Sequence, residues 1–407
     1  MPLADVAVTG LGLITPAGNT TDTWDAVCQG RSLARRDPNL AGLPVDISCR
    51  IADFDPVATH GRRLSRRLDR FTQFALTAAR QAISDAKLDP AAWPASRVAV
   101  VLGVGSNSLQ HYQREYTRLD QDHPELVSPM ALPRSLPNMA PAEVALDLGA
   151  LGPNFSVASA CASGPTALAV AHGLLTSGQC DIALAGGAES ALDRMSATCF
   201  AQMRALSRRT AEPHTASRPF DTERDGFVLA EGAAVLTLER IDDALRRGAH
   251  ARALLIGHAS TSDAYHPVAP HPHGAGAEQA LRAALTHACL APSDIGHINA
   301  HGTSTPSGDR AEAEALRRVF GDTPPPVTAP KSVLGHSLGA AGAIEAALTV
   351  LTLEQQMIPP TANLHRQEPD HPLDIVTGRP RRTRLDTAVS NSFGFGGQNT
   401  VLVFTTP

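Results

Sequence analysis

Short apolar runs recur along the chain, each closed by glycine or small polar residues, and between them lie longer stretches whose apolar positions fall three or four apart. Val6-Ala7-Val8-Thr9-Gly10-Leu11-Gly12-Leu13 is the first such run, and Val98 to Leu102, ending at Gly103, is the second. Asp181 to Gly187 and Ala233 to Leu238 follow. Runs of this length between turn residues predict buried strands. Phe71 to Lys87 has helical spacing and is closed by Leu88-Asp89-Pro90, and Pro165 to Leu175 is an Ala/Leu-rich helical pattern. Residues 106 to 137, rich in His, Gln, Asp and Pro, follow neither period and predict an irregular excursion over the surface.

The pattern then starts again. Arg252 to Gly257 is another strand ending in glycine, and the helix from Glu278 to Ala288 closes with Leu290-Ala291-Pro292, 202 residues after Leu88-Asp89-Pro90. Ile298 to Gly302 follows at nearly the spacing of Val98 to Gly103. Two halves that each alternate strands and helices predict a duplicated α/β fold, divided here into residues 1–250 and 251–407. Equivalent strand-to-helix elbows of the two halves would face each other across a pseudo-twofold axis. The elbow at Cys161 would meet its counterpart near Lys331 to His336.

Composition narrows the function classes. A 407-residue chain with 43% hydrophobic and 18% charged residues has an ordinary globular make-up. Its net charge of -5 gives no case for nucleic-acid binding. No apolar run approaches the ~18 residues of a membrane span, and the start MPLADVAVTG lacks the basic region and apolar core of a signal peptide, so a cytoplasmic location is expected. Cys28, Cys49, Cys161, Cys180, Cys199 and Cys289 show no paired spacing, which predicts reduced thiols and no metal cage. Gly10-Leu11-Gly12 lacks the third glycine and later acidic residue of a dinucleotide loop and reads as a tight turn.

Candidate chemistry starts at Val157-Ala158-Ser159-Ala160-Cys161-Ala162-Ser163-Gly164, a strand-to-helix elbow with a cysteine at its corner. A thiol at a helix N-terminus meets unpaired N–H groups that favour the thiolate, so a lowered pKa and a nucleophile are one reading. A buried structural cysteine is the other. A nucleophile needs a partner, and the second half offers three loops of small residues: His301-Gly302-Thr303-Ser304-Thr305-Pro306-Ser307-Gly308-Asp309, Lys331 to Gly342 with the run Lys331-Ser332-Val333-Leu334-Gly335-His336, and Asn391-Ser392-Phe393-Gly394-Phe395-Gly396-Gly397-Gln398-Asn399. Histidine is suited to proton chemistry near neutral pH, and small neighbours let a substrate approach the backbone. Lys87 and Lys331 are the only lysines among 35 basic side chains, which marks Lys331 as a retained ammonium.

With these motifs in Cys–His–His order, the chain resembles the elongating β-ketoacyl-[acyl-carrier-protein] synthases, the ketosynthase II branch of the thiolase superfamily, from Val6 to Val403. The resemblance implies a five-layered αβαβα fold of two pseudo-repeated halves, normally dimeric. It implies that Cys161 takes an acyl group from a carrier-protein thioester and that malonyl-carrier protein is then decarboxylated and condensed with it. The N–H groups of Cys161 and Phe395 would form the oxyanion hole, with Phe395 also a gate. His301 and His336 would stabilise developing enolate charge, and Lys331 would pair with Glu345. Thr303 and Thr305 would hold the phosphopantetheine arm of the carrier, with no bound cofactor. Arg66, Arg67 and Arg204 match basic positions that dock an acidic carrier.

Departures from the family pattern bear on the substrate. Fatty-acid relatives commonly read GSGIGG and SPFFVP where this chain has Gly103-Val104-Gly105-Ser106-Asn107-Ser108 and Ser128-Pro129-Met130-Ala131-Leu132-Pro133. Ser106 and Ala131, with Phe200, are the expected acyl-pocket residues, and their size and polarity predict a chain that is not plainly saturated, such as a polyketide or polyene. Glu125-Leu126 stands where a basic pair is common, which suggests another carrier or docking pose. Housekeeping fatty-acid elongation is the alternative. A non-catalytic chain-length-factor-like subunit is disfavoured by Cys161, although a heterodimer with such a paralogue remains open beside a homodimer.

Overall fold

The computed structural model of the chain describes residues 5–106, 109–370 and 372–407, so Asn107 and Ser108 of the expected pocket segment lie outside the described residues. All nine residues of the first strand, Val6–Ile14 (β1), are buried. A strand without a solvated face has to be covered on both sides. Val98–Gly103 (β2) is buried in the same way, Asn154–Val157 (β3) is a partly exposed edge, and Ile182–Ser190 (β4) and Glu231–Arg240 (β5) are again almost wholly buried. The second half supplies Ala253–Ser262 (β6), His297–Asn299 (β7), Val327–Thr328 (β8), Thr387–Gly394 (β9) and Gln398–Thr405 (β10).

The strands lie in the order β3-β2-β4-β5-β1 and, continuing, β6-β10-β9-β7-β8. In the first set, β2 pairs parallel with β3 and β4, then β4/β5 and β5/β1 are antiparallel. The second set repeats this: β7 pairs parallel with β8 and β9, then β9/β10 and β10/β6 are antiparallel. The sets join at a short seam where Val6, Ala7 and Val8 pair with Leu255, Leu254 and Ala253.

Three apolar clusters fill the spaces between layers. Phe71, Phe74 and Leu76 of helix Arg70–Asp85 pack on Val98, Val100, Leu184 and Val235 at the outer face of the first set. Leu168 and Leu175 of helix Ser163–Thr176, with Ile344 and Leu348 of helix Ala341–Gln355, pack among Leu13, Leu236 and Leu402 in the middle. Leu281 and Leu285 of helix Ala275–His287, with Leu316 of helix Pro306–Phe320, cover Ile298, Val389 and Val401 on the far side. The order is helix, sheet, helix, sheet, helix, the five-layered αβαβα arrangement of the thiolase-like fold. The central helices need small residues to pass closely: a Cβ on Gly164 would sit 2.8 Å from the Ala343 Cβ.

Two expectations need correction. The excursion is not irregular, because Leu109–Asp120 forms a helix and Ala131–Ser135 a further short one. No Pro or Gly interrupts residues 109–120 and Glu115 pairs with Arg118 at i,i+3, but Tyr116 and Leu119 stay exposed, so the apolar period was weak. The counterpart of the Cys161 elbow lies at Leu338–Ala340, just beyond Lys331 to His336, because Lys331–Leu334 is an added helical turn.

Candidate active site

Strand β3 runs into a single tight turn, Ala160–Ala162, that opens helix Ser163–Thr176 and carries Cys161 at its centre. Ala160 has φ +49°, a left-handed conformation that few alanines adopt. Ser163 holds the turn: its Oγ accepts the Ser159 N–H at 2.9 Å and donates to the Ala160 carbonyl at 2.6 Å. The same shape recurs at Leu338–Ala340, where Leu338 has φ +46° before helix Ala341–Gln355. Gly339 stands where the first elbow has Cys161, and a Cβ there would lie 2.2 Å from the Gly105 nitrogen.

His336 Nε2 is 3.1 Å from the Cys161 sulfur. The backbone around it is fixed by strand-like bonds, with the His336 N–H donating to Val228 O at 2.8 Å and the Ala230 N–H donating to His336 O at 3.0 Å. His336 Nδ1 is buried with no partner among the described residues. A proton on Nδ1 would leave a buried N–H unpaired, so the arrangement places it on Nε2, facing the sulfur. The Phe395 N–H also reaches the sulfur. Close approach of that loop depends on Gly394, whose Cβ would lie 2.9 Å from the Cys161 nitrogen.

The expected lowering of the Cys161 pKa is not what burial produces. Desolvation pushes the thiol up to about 11, and the Lys331 charge and the Phe395 N–H only partly offset it. The resting group is therefore a thiol.

His301 and Lys331 complete the cluster. The Lys331 ammonium donates to Glu345 Oε1 at 2.6 Å, to His301 O at 2.6 Å and to His301 Nδ1 at 3.3 Å. An ammonium can only donate, so His301 Nδ1 accepts and its proton sits on Nε2. Burial, then the Lys331 charge, holds both His301 and His336 well below the ordinary imidazole range, and both rings are neutral at pH 7. Burial pushes the Glu345 carboxyl up to about 7 against the pull of Lys331. The two imidazoles meet edge to face, 5.5 Å between ring centres.

These groups open onto a cavity of about 190 Å³ lined by Cys161, His301, His336, Phe395, Ser106 and Phe200, among others. Thr303 and Thr305 also line it, and their hydroxyls lie 3.0 Å apart. The Phe395 ring is 6.2 Å from Phe200, which stacks edge-on to Phe227 at 5.5 Å. Ala131 is not part of this lining. Arg66 and Arg204 are exposed, and Arg204 adjoins Ala205 of the cavity wall. Arg67 is ion-paired with Glu143, which leaves less of its charge free for a carrier. Among the described residues no group of three His, Cys, Asp or Glu side chains could hold a metal ion, and no helix is long and apolar enough to cross a membrane.

Comparison with known proteins places this geometry. Residues 3–244 match the β-ketoacyl synthase N-terminal domain and residues 252–365 the β-ketoacyl synthase C-terminal domain. The chain belongs to the β-ketoacyl synthase family. A 3-oxoacyl-[acyl-carrier-protein] synthase 2 of Synechocystis sp. is 42% identical, with 98% of this chain and 97% of that protein covered. The ishigamide ketosynthase/chain length factor structure superposes with a TM-score of 0.93 at 33% identity over 99% of both chains. A type II polyketide ketosynthase solved with its acyl-carrier protein and bound to the hexaketide gives a TM-score of 0.92 at 31% identity over 100% of both chains.

Sequence reasoning gave no role to three buried carboxylates of this β-ketoacyl synthase. Glu312 accepts the N–H groups of His301 and Gly302, each at 2.8 Å, and so fixes the His301 loop. Its signal was the helical stripe Asp309, Glu312, Leu316 on helix Pro306–Phe320, where the apolar member predicts burial for its neighbours. Asp309 accepts from Ser304 N at 3.0 Å and Phe220 N at 2.7 Å, which supports the loop carrying Thr303 and Thr305. Glu189, 2% exposed, is the third.

Proposed function

We propose that this chain is an acyltransferase that condenses an acyl group held on Cys161 with malonyl-acyl-carrier protein, releasing CO2 and a β-ketoacyl-carrier protein. The observation that carries this reading is the convergence of the Cys161 sulfur, His336 Nε2 at 3.1 Å and the Phe395 N–H in one buried cavity.

In the first half-reaction the Cys161 sulfur, losing its proton, attacks the thioester carbonyl carbon of the acyl-carrier substrate. The Phe395 N–H, the His336 Nε2–H and the helix N-terminus favour the thiolate. The oxyanion of the tetrahedral intermediate is held by the N–H groups of Cys161 and Phe395. The carrier sulfur departs and gains the proton that the thiol lost, leaving a Cys161 thioester. In the second half-reaction the bond from the malonyl methylene to its carboxylate breaks, CO2 leaves, and the electron pair forms an enolate stabilised by the Nε2–H groups of His301 and His336. That carbon attacks the Cys161 thioester, the carbon–sulfur bond breaks, and the departing thiolate takes one proton from solvent to restore the thiol. Lys331, held by Glu345, keeps the His301 proton on Nε2. Thr303 and Thr305 receive the phosphopantetheine arm, and Phe395, swinging between flanking glycines, gates the acyl chamber.

Specialised rather than housekeeping metabolism is the finer reading, supported by the small Ser106 in the cavity wall. Ala131 does not contribute to that argument. The acidic carrier docks near Arg66 and Arg204, the chain acts as a homodimer or beside a chain-length-factor-like paralogue, and a cytoplasmic location accompanies this reading. Intact-mass measurement after incubation with acyl-carrier thioesters tests the core claim: the acyl mass appears on the wild type and not on Cys161→Ala. Acylation that survives the substitution overturns it. Matched saturated and unsaturated acyl-carriers test the pathway, and a clear preference for saturated chains would sink the specialised reading.

A further inference from the structure

Glu189 is the penultimate residue of strand β4, 2% exposed, and among the described residues no basic side chain is bonded to it. A carboxylate buried without a cation is costly unless several donors surround it. Its donors come from both halves of the fold. Glu189 Oε2 accepts the Gly105 N–H at 2.9 Å and the Gly339 N–H at 3.3 Å, and Oε1 accepts the Ser106 hydroxyl at 2.9 Å. The Ser106 N–H also points at the carboxylate, and burial, only partly offset by these donors, pushes it up to about 7.

The surroundings leave little slack. A Cβ on Gly105 would lie 3.0 Å from Ala160 O and from Gly339 N, and one on Gly187 would lie 2.7 Å from Gly339 O. The loop after β2 therefore presses on the Cys161 elbow, with the Leu338–Ala340 turn packed backbone to backbone on that loop and on the end of β4, and Glu189 bonds the loop and the turn together. Ser106 lines the cavity, but its hydroxyl is turned onto Glu189. The acyl chain thus meets a small methylene wall there rather than a free hydroxyl. Glu189 also lies close enough to Cys161 for its charge to oppose thiol ionisation.

We infer that Glu189 is a positioning residue of the condensation site, clasping the Gly105–Ser106 wall and the Leu338–Ala340 turn against the Cys161 elbow while its charge tunes the thiol. This rests on Cys161 being the nucleophile. Titrating iodoacetamide alkylation of the Cys161 peptide against pH in the full chain tests it. Glu189 is ionised where the thiol titrates, so Glu189→Gln removes a negative charge and lowers the alkylation midpoint by about 1 pH unit. Loss of packing alone would change the rate without moving the midpoint, and an unmoved midpoint in a folded variant overturns the assignment.

Ser106→Ala removes only a hydroxyl that faces away from the chain, and decides the matter if Glu189→Gln does not fold. Acyl loading at saturating carrier slows several-fold with KM unchanged. A wild-type loading rate overturns the clasp. Normal alkylation of the wild type with no acyl loading from any carrier would instead count against the proposed function.

Discussion

Lys331 Nζ lies 3.3 Å from His301 Nδ1 while its other bonds go to His301 O and Glu345 Oε1, both at 2.6 Å. One ammonium thereby fixes the tautomer of an imidazole, the position of its backbone and the charge balance of a buried carboxylate.

Lys331→Ala leaves Glu345 and His301 without that partner. Breaking a buried pair costs about 3–5 kcal/mol, so the melting temperature falls by many degrees. Condensation is lost even where folded protein remains, because His301 Nε2 no longer has to hold the proton. A variant that melts like the wild type and condenses normally would refute the role given to the ammonium.

His301 serves the enolate alone, His336 serves both the enolate and the Cys161 thiolate, and the Cys161 and Phe395 N–H groups serve the loading step. Replacing either histidine by alanine slows condensation by about 100- to 1000-fold, the usual effect of removing one transition-state donor. Cys161 still becomes acylated in both variants, more slowly without His336. Single-turnover loading and malonyl-dependent CO2 release, measured separately, check the division, and parallel loss of both steps without His301 would contradict it.

Gly394→Ala places a Cβ 2.9 Å from both the Cys161 nitrogen and Ser159 O. The loop can relieve this only by moving the Phe395 N–H away from the sulfur. Acyl loading falls about 100-fold or more, with a modest effect on melting. Phe395→Ala keeps the N–H and spares the rate of loading by comparison, which separates backbone from ring.

Burial and mutual repulsion hold His172 at about 4 and His258 at about 3 in the folded chain, beside His287, with His172 Nδ1 3.3 Å from His258 Nε2. An imidazole in the unfolded chain titrates near ~6.5. Below that pH the unfolded chain binds protons that the fold refuses, so this contribution is complete above pH ~6.5 and is lost progressively toward pH 3. His258→Phe, which keeps an aromatic ring in the cluster, flattens the fall in melting temperature between pH 6.5 and 4. A slope equal to that of the wild type would refute the assignment.

How far these features could be read before folding depended on residue chemistry. Cys161, His301, His336 and Lys331 stood out because each sits in a run of small residues, where an unusual side chain is conspicuous, and because lysine is so rare in the chain. The repeat could be read from strands ending in glycine. Glu189 and Glu312 could not, since a glutamate is solvated by default and only the donors brought around it by distant segments make burial tolerable. The thiol pKa went astray for a related reason: a helix N-terminus is visible in sequence, but the degree of desolvation is set by the helices and loops that close over it.

The turn at Leu338–Ala340 carries one more consequence. A doubled fold with two like elbows would offer two places for a reactive thiol, yet Gly339 abuts the Gly105 nitrogen so closely that no side chain fits. The second elbow is reduced to backbone, and that backbone is what lets its partner loops reach the first. Inequality between the twin halves is therefore enforced by space: one elbow holds the reagent, and the other has become part of the wall that confines it.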